Sequence, residues 1–314
     1  MTGVQTCALP ICFRRCHLPE EIRQSIDCLN LLRDKPNTPR FLQPGGFLLA
    51  KTAHTIRISS FLEVLRLEGH GRIARIDELR GALILLVLIY HLLYDITLFF
   101  PATAPRLWLL GDAIRPLRAV VPGLFILLCG MCTHLSRNNM RRGLWCALFA
   151  GGIRLVSGIV SPACPIRFGI LHLLALCLLL WCALHRPLAQ MHLPPWAAMV
   201  GGGLLFALTY RLEQGYFAGM PLPAALWDRE WLLWLGLPCR RLLSADYFPL
   251  LPWGGLFWAG CGLGQWLLTP PYIDRLRQSR SPGMARLGRH TLALYLCHQP
   301  VWFAGLWLLR AVHG

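Results

Sequence analysis

Long apolar segments are the feature that most constrains how this chain can fold. Seven largely apolar stretches of about 20 residues occur after residue 78, and each is long enough to cross a bilayer as an α-helix. They run Leu79–Phe100, Leu117–Ser136, Gly143–Val160, Ile166–His185, Pro194–Arg211, Phe248–Leu268 and His290–Val312. The sequence therefore predicts an all-α fold, a polytopic bundle of about seven transmembrane helices in a lipid bilayer.

Composition supports a membrane protein and argues against a nucleic-acid partner. The chain is 55% hydrophobic and only 15% charged, whereas soluble domains carry about 25% charged residues. Its net charge of +16 comes from 31 basic and 15 acidic residues. A basic nucleic-acid-binding protein of this size would be richer in Lys and poorer in Leu and Trp.

The composition changes abruptly near residue 71. Both lysines, Lys35 and Lys51, precede this point, whereas all 12 Trp and all 7 Tyr follow it. Residues Met1–Ile11 resemble a translated sequencing adapter, so we expect residues 1–71 to be non-native sequence; a genuine disordered or amphipathic extension is the alternative. Residues 72–314 then form the transmembrane domain.

Arginines in the short connections predict the orientation. Arg137, Arg141 and Arg142 lie between the second and third stretches, and five more, including Arg289, lie between the sixth and seventh. Cytoplasmic loops carry an excess of Lys and Arg, so this side and the N-terminus are expected in the cytoplasm. Arg also binds phosphate through its planar fork. Topology and binding of a nucleotide-like donor explain these arginines equally well.

One longer connection, residues 212–247, carries Trp227, Trp231 and Trp234 at nearly helical spacing. Trp is favoured where lipid meets water, because its ring is apolar and its N–H is polar. The spacing predicts a helix that lies at the membrane interface.

Polar residues within the apolar stretches are the candidates for function, because an ionisable group costs at least about 2.5–3.5 kcal/mol at the centre of a membrane helix. His91 and Asp95 are four residues apart and share a helix face with Arg80. The other candidates occur in or beside the fourth, sixth and seventh stretches; they are Arg167, His172, Asp246, His298 and Gln299. We expect these residues to converge on one site.

Histidine suits general-base chemistry near neutral pH, and a nearby carboxylate can fix its tautomer. The alternative for each polar residue is a hydrogen bond inside the bundle. The histidines lack the short ligand spacing of common zinc motifs, so no metal is expected. Cys129 and Cys132 form a CxxC pair within an apolar stretch, where packing of small apolar groups is the expected role.

Several motifs resemble one known family. They are RIDELRG at 75–81, YH at 90–91, RFGILH at 167–172, DYFPLLPW at 246–253 and GRHTLALYLCHQP at 288–300. Together they resemble the bacterial branch of the heparan-α-glucosaminide N-acetyltransferase catalytic-domain family, and the similarity extends from Arg72 to Ala311.

The resemblance implies a multi-pass acyltransferase of the bacterial inner membrane. It would move an acetyl group from cytoplasmic acetyl-CoA to an amino sugar or another glycan of the cell envelope, and a homo-oligomer is compatible with it. His91, Asp95 and His298 would be catalytic, with His91 as the base. Arg80, Arg167, His172, Asp246 and Gln299 would bind substrate; Arg137, Arg141, Arg142 and Arg289 would bind the donor.

Two features leave the assignment open. In the animal members of the family the catalytic histidine follows the first span, whereas this chain has no His between Pro101 and Pro116. His91 instead resembles the histidine that follows a first-helix Arg-Gly in other membrane acyltransferases. A proton-coupled carrier for a sugar or lipid-linked substrate would use the same residue types, and a structural subunit of an envelope complex would not depend on them.

Overall fold

A computed structural model describes residues 73–100, 117–239, 246–269 and 272–313, together with Leu242 and Ser244. The predicted N-terminal extension, residues 1–71, lies outside the described residues.

The described residues are mostly helical, as predicted, and a helix occurs at each of the seven apolar stretches. In chain order the α-helices are α1 Ala74–Phe99, α2 Leu117–Met131, α3 Asn139–Val160, α4 Ile170–Gln190, α5 Pro195–Thr209, α6 Leu250–Leu267, α7 Tyr272–Arg277, α8 Pro282–Arg289 and α9 Thr291–His313. Two-residue strands, β1 Tyr216–Phe217 and β2 Met220–Pro221, form an antiparallel hairpin between α5 and α6.

Within the described part of the chain, four helices are long and apolar enough to cross a membrane: α1, α3, α4 and α9. The protein is therefore an integral membrane protein. The other three predicted crossings are not shown among the described residues: α2 and α5 have only 15 residues each. At 1.5 Å per residue they measure about 22 Å, less than the ~30 Å hydrocarbon core. Helix α6 has 18 residues and non-helical backbone at Leu251 (φ −107°, ψ 125°).

Helix α6 lies at the centre of the bundle, with Trp253 and Phe257 almost fully buried. It packs closely on α5 because both helices have glycine at the crossing. A Cβ atom at Gly255 would stand 2.6 Å from the carbonyl oxygen of Gly202. Small residues let helix backbones approach in this way inside membranes. Cys129 and Cys132 are free thiols in the core, consistent with the predicted packing role.

The short helix α8 packs along the first turns of α1. Gly81 and Gly288 face each other's backbone, and a Cβ at Gly288 would overlap the carbonyl oxygen of Asp77. The Glu78 carboxylate accepts hydrogen bonds from Ser279 Oγ and from the backbone N–H groups of residues 280 and 281, at 2.6–2.7 Å. This contact fixes the start of α8 beside α1.

The connection between α5 and α6 differs from the predicted interfacial helix. Trp231 and Trp234 lie on a single 3₁₀ segment, Glu230–Leu235, whereas Trp227 precedes it. Trp231 is 72% exposed, as expected of a residue at an interface. The hairpin was not predicted because its turn places Ala218 at φ 51°, a conformation that a sequence usually marks with Asn or Gly.

Candidate active site

His91 and His298 meet where α1 packs against α9. Their ring centroids are 4.8 Å apart. His91 Nδ1 accepts a hydrogen bond of 2.9 Å from Gln299 Nε2, and His298 Nδ1 lies 2.7 Å from the backbone oxygen of Tyr295. His298 is 7% exposed. The structure thus brings together three of the residues predicted from sequence.

Asp95 lies one turn beyond His91 on the same face of α1. One further turn on, Phe99 contacts Phe303 of α9 at 5.3 Å between ring centroids. Asp95 therefore lies between two contacts with α9, and it is only 1% exposed. Its Oδ2 has no hydrogen-bond partner among the described residues. A buried carboxyl oxygen without a partner is costly and is typical of a functional site.

A second polar cluster surrounds the start of α4. Asp246 Oδ2 accepts a hydrogen bond of 3.1 Å from the backbone N–H of Ile170, so a carboxyl from a distant loop caps this helix. His172 Nδ1 accepts a 3.2 Å hydrogen bond from the N–H of Gly169. A backbone hydrogen bond of 2.8 Å from Phe248 N–H to the oxygen of Phe168 holds the two loops together.

Arg167 also belongs to this cluster, but its guanidinium points outward. Its Nη1 lies 3.7 Å from a carboxylate oxygen of Glu230, in a pair whose side chains are 37% and 64% exposed. Such an exposed ion pair adds little stability and leaves the guanidinium free to exchange Glu230 for a ligand. Arg154 Nη1 donates to the backbone oxygen of Arg167 at 3.1 Å.

Tyr295 lies between the two clusters, and sequence reasoning did not select it. Its ring centroid is 5.7 Å from that of His298. It also lines a cavity of about 10 Å³ with His172 and Asp246, which is room for about one water molecule. The signal available in the sequence was its position three residues before His298, on the same helix face. The three predicted histidines therefore form two neighbouring groups rather than one.

Arg80 takes a different position from the other predicted substrate-binding residues. It lies 4.0 Å from Asp77 in an i,i+3 ion pair, eleven residues before His91. This end of α1 packs against α8. We call the end of the bundle where α1 begins its base, and Arg80 lies near it.

One of the predicted donor-binding arginines, Arg137, lines a groove at the same base. The groove has a volume of about 400 Å³ and is lined by His134, Arg137 and Trp181 among others. The Trp181 ring lies 5.2 Å from that of His134. Arg137 and Arg141 are exposed, whereas Arg142 donates to Asn139 Oδ1 at 2.9 Å.

These arginines therefore divide into two kinds. Arg142 also reaches the backbone oxygen of Cys132 at 3.4 Å, so it holds the end of α2 to the start of α3. Arg289 is exposed on the last turn of α8. The exposed arginines are the ones placed to meet a ligand from the aqueous phase.

The capping role of Asp246 predicts a pH-dependent stability. Burial raises the pKa of the Asp246 carboxyl from 3.8 to about 6, and the hydrogen bond from Ile170 offsets part of that rise. The folded protein then binds this proton more tightly than the unfolded chain. The free energy of unfolding should therefore fall as the pH rises from about 4 to above 6.

The matched variant is Asp246→Asn, which keeps an oxygen to cap α4 but cannot ionise. Between pH 4 and pH 7 the wild-type protein should lose on the order of 2 kcal/mol more unfolding free energy than the variant. Thermal unfolding in detergent at a series of pH values measures this difference. Parallel curves for the two proteins would contradict the assignment.

A model of one known protein family matches most of the chain. The family model described as heparan-alpha-glucosaminide N-acetyltransferase, catalytic, matches residues 72–300. No curated protein and no solved structure matches the chain. The family match begins where the composition changes, and it includes both polar clusters and the groove. The chain therefore belongs to the heparan-α-glucosaminide N-acetyltransferase catalytic family, a family of membrane acetyltransferases.

Proposed function

We propose that this enzyme transfers an acetyl group from cytoplasmic acetyl-CoA to an amino sugar or another glycan of the bacterial cell envelope. The observation that carries the proposal is the buried contact between His91 and His298. Two imidazoles inside an apolar helix contact have a high desolvation cost, and imidazole is the usual group for proton transfer near neutral pH. Membership of an acetyltransferase family supplies the reaction.

The orientation follows from the arginines. All seven apolar helices cross the bilayer in this proposal, the shorter α2, α5 and α6 as well as the four longer ones. The α2–α3 connection and the segment between α6 and α9 would then lie on the side of the N-terminus, and their arginines support a cytoplasmic location for that side. The protein is accordingly assigned to the inner membrane.

The groove at the base is proposed as the donor site. It lies on the cytoplasmic side in this orientation, and its exposed Arg137 would bind the phosphates of acetyl-CoA, together with Arg141 and Arg289 from the same side of the membrane. Trp181 offers a flat ring for the adenine. Arg142 would support the groove by tying α2 to α3.

Removing donor-binding charge should weaken binding of acetyl-CoA and leave the chemistry nearly intact. The double variant Arg137→Ala, Arg141→Ala is expected to raise KM for acetyl-CoA about 10- to 100-fold, because a charged hydrogen bond contributes about 1.5–3 kcal/mol. Initial rates at varied acetyl-CoA measure this change. The control is Arg280→Ala, which removes another exposed arginine on the same side. If wild type, the double variant and this control have the same KM for acetyl-CoA, the groove is not the donor site.

The acceptor is proposed to bind at the second cluster and reach the histidine pair past Tyr295. Arg167, His172 and Asp246 would contact its hydroxyl and amine groups, and Gln299 would hold His91 in place. Asp95 would support the positive charge that develops on the histidine pair during proton transfer. Arg80 would bind substrate at the base of the bundle, near the start of α1.

Labelled acetyl-CoA tests the proposal in membranes that contain the full chain. Transfer of label to glucosamine or to extracted envelope glycans is the expected result. The proton-coupled carrier is the second candidate, supported by the same buried Asp95 and histidines. A carrier would move sugar across vesicles without consuming acetyl-CoA, and that outcome would replace the enzyme assignment.

A further inference from the structure

The hydrogen bonds of His298 define its tautomer. Its Nδ1 lies 2.7 Å from the backbone oxygen of Tyr295. A carbonyl oxygen can only accept, so Nδ1 must carry the hydrogen. The lone pair of a neutral His298 then lies on Nε2. That atom is buried and has no partner among the described residues.

His91 has the opposite arrangement. Its Nδ1 accepts a hydrogen bond of 2.9 Å from the amide nitrogen of Gln299. The Nδ1 lone pair is therefore occupied, and a neutral His91 carries its hydrogen on Nε2. In this arrangement His91 can donate a hydrogen bond through Nε2 but offers no lone pair to a substrate.

We propose that His298 Nε2 is the general base of acetyl transfer and that His91 Nε2–H, set by Gln299, stabilises the oxyanion. The assignment rests on the acetyltransferase function proposed above, and it gives His298 the role of base that the family resemblance implied for His91. It also gives Gln299 a positioning role through His91. The sequence could not show this, because both histidines are equally suited to either role until their partners are known.

The reaction balances with these roles. The acceptor nitrogen or oxygen attacks the thioester carbonyl carbon, and its proton moves to His298 Nε2 as the new bond forms. The carbonyl oxygen becomes an oxyanion that accepts a hydrogen bond from His91 Nε2–H. The C–S bond then breaks, and the CoA thiolate leaves and takes up the proton held by His298. The product is an acetamide or an acetate ester together with free CoA.

Nitrogen NMR of the purified full-length protein tests the tautomers without any assay of activity. In ¹⁵N-histidine-labelled protein, His298→Asn and His91→Asn variants identify the signals of each ring. We expect a protonated Nδ1 in His298 and a protonated Nε2 in His91. The reverse pattern in either ring would overturn the proposal, even if the protein is an acetyltransferase.

Kinetics of Gln299→Glu separates the two assignments. A carboxylate at this position accepts from His91, moves its hydrogen to Nδ1 and removes the Nε2–H donor. If His91 stabilises the oxyanion, kcat should fall about 100- to 1,000-fold with little change in KM. If His91 were the base, the new carboxylate partner would keep or increase kcat, and the proposal would be wrong.

A direct test of the base uses His298→Asn, which should lower kcat about 100- to 10,000-fold. His192→Asn is the matched control, because His192 is exposed and its φ of 49° suits Asn. A His298→Asn protein that folds and retains full kcat would overturn the proposal. If wild-type protein transfers no acetyl group, the proposed function fails and both catalytic roles fail with it, whereas reversed tautomers in an active enzyme overturn the two roles alone.

Discussion

Replacing His91 with Asn is expected to lower acetyl transfer about 100- to 1,000-fold while the protein remains folded. The side chain is held by Gln299 at 2.9 Å and lies 4.8 Å from the His298 ring. An Asn at this position could not place a donor or a base where the imidazole nitrogen lies. Losing one group that acts only in the transition state typically has an effect of this size.

The measurement is the rate of transfer of labelled acetyl groups at saturating acetyl-CoA. The rate is divided by the amount of folded protein extracted in detergent. His192→Asn should behave as wild type, since this side chain is exposed and its Nδ1 lies 2.7 Å from the nearby backbone oxygen of Gln190. Unchanged turnover in His91→Asn would show that the histidine pair is structural.

Replacing Gly288 with Ala is expected to lower the free energy of unfolding by about 1–3 kcal/mol, the usual cost of overpacking. A Cβ at this position would overlap the carbonyl oxygen of Asp77, which is backbone and cannot rotate away. Helix α8 would then have to move off α1. Since a domain is stable by only about 5–15 kcal/mol, the change is large.

Gly283→Ala is a matched control on the same helix, because a Cβ there meets nothing within 4 Å. It should leave stability unchanged or raise it slightly, since Ala favours helix over Gly. Thermal unfolding in detergent compares the three proteins. Equal midpoints for Gly288→Ala and wild type would show that the close α1–α8 packing does not contribute to stability.

The sequence predicted the helices well because the apolar stretches are long and charge is concentrated between them. Each stretch contains a helix, and the observed ends lie within five residues of the predicted ones. The number of crossings was harder to predict. Apolar composition shows that a segment is suited to a membrane but does not show where its helix ends. It therefore could not show that α2 and α5 are only 15 residues long.

The site was predicted in part. The i,i+4 spacing of His91 and Asp95 gave one helix face, and the contact with His298 follows once α1 and α9 are neighbours. The pairing of Gln299 with His91, and the position of Tyr295 beside Asp246, depend on how distant helices meet. No periodicity within one helix records such contacts. The tautomers depend in turn on those partners.

The most direct test of the central claim is whether the purified full-length protein consumes acetyl-CoA in the presence of an amino sugar. Release of the CoA thiol can be followed with glucosamine as acceptor, beside the His91→Asn and His192→Asn proteins. We predict acceptor-dependent thiol release by wild type and His192→Asn, reduced at least 100-fold in His91→Asn. Sugar flux across vesicles without any thiol release would contradict the account.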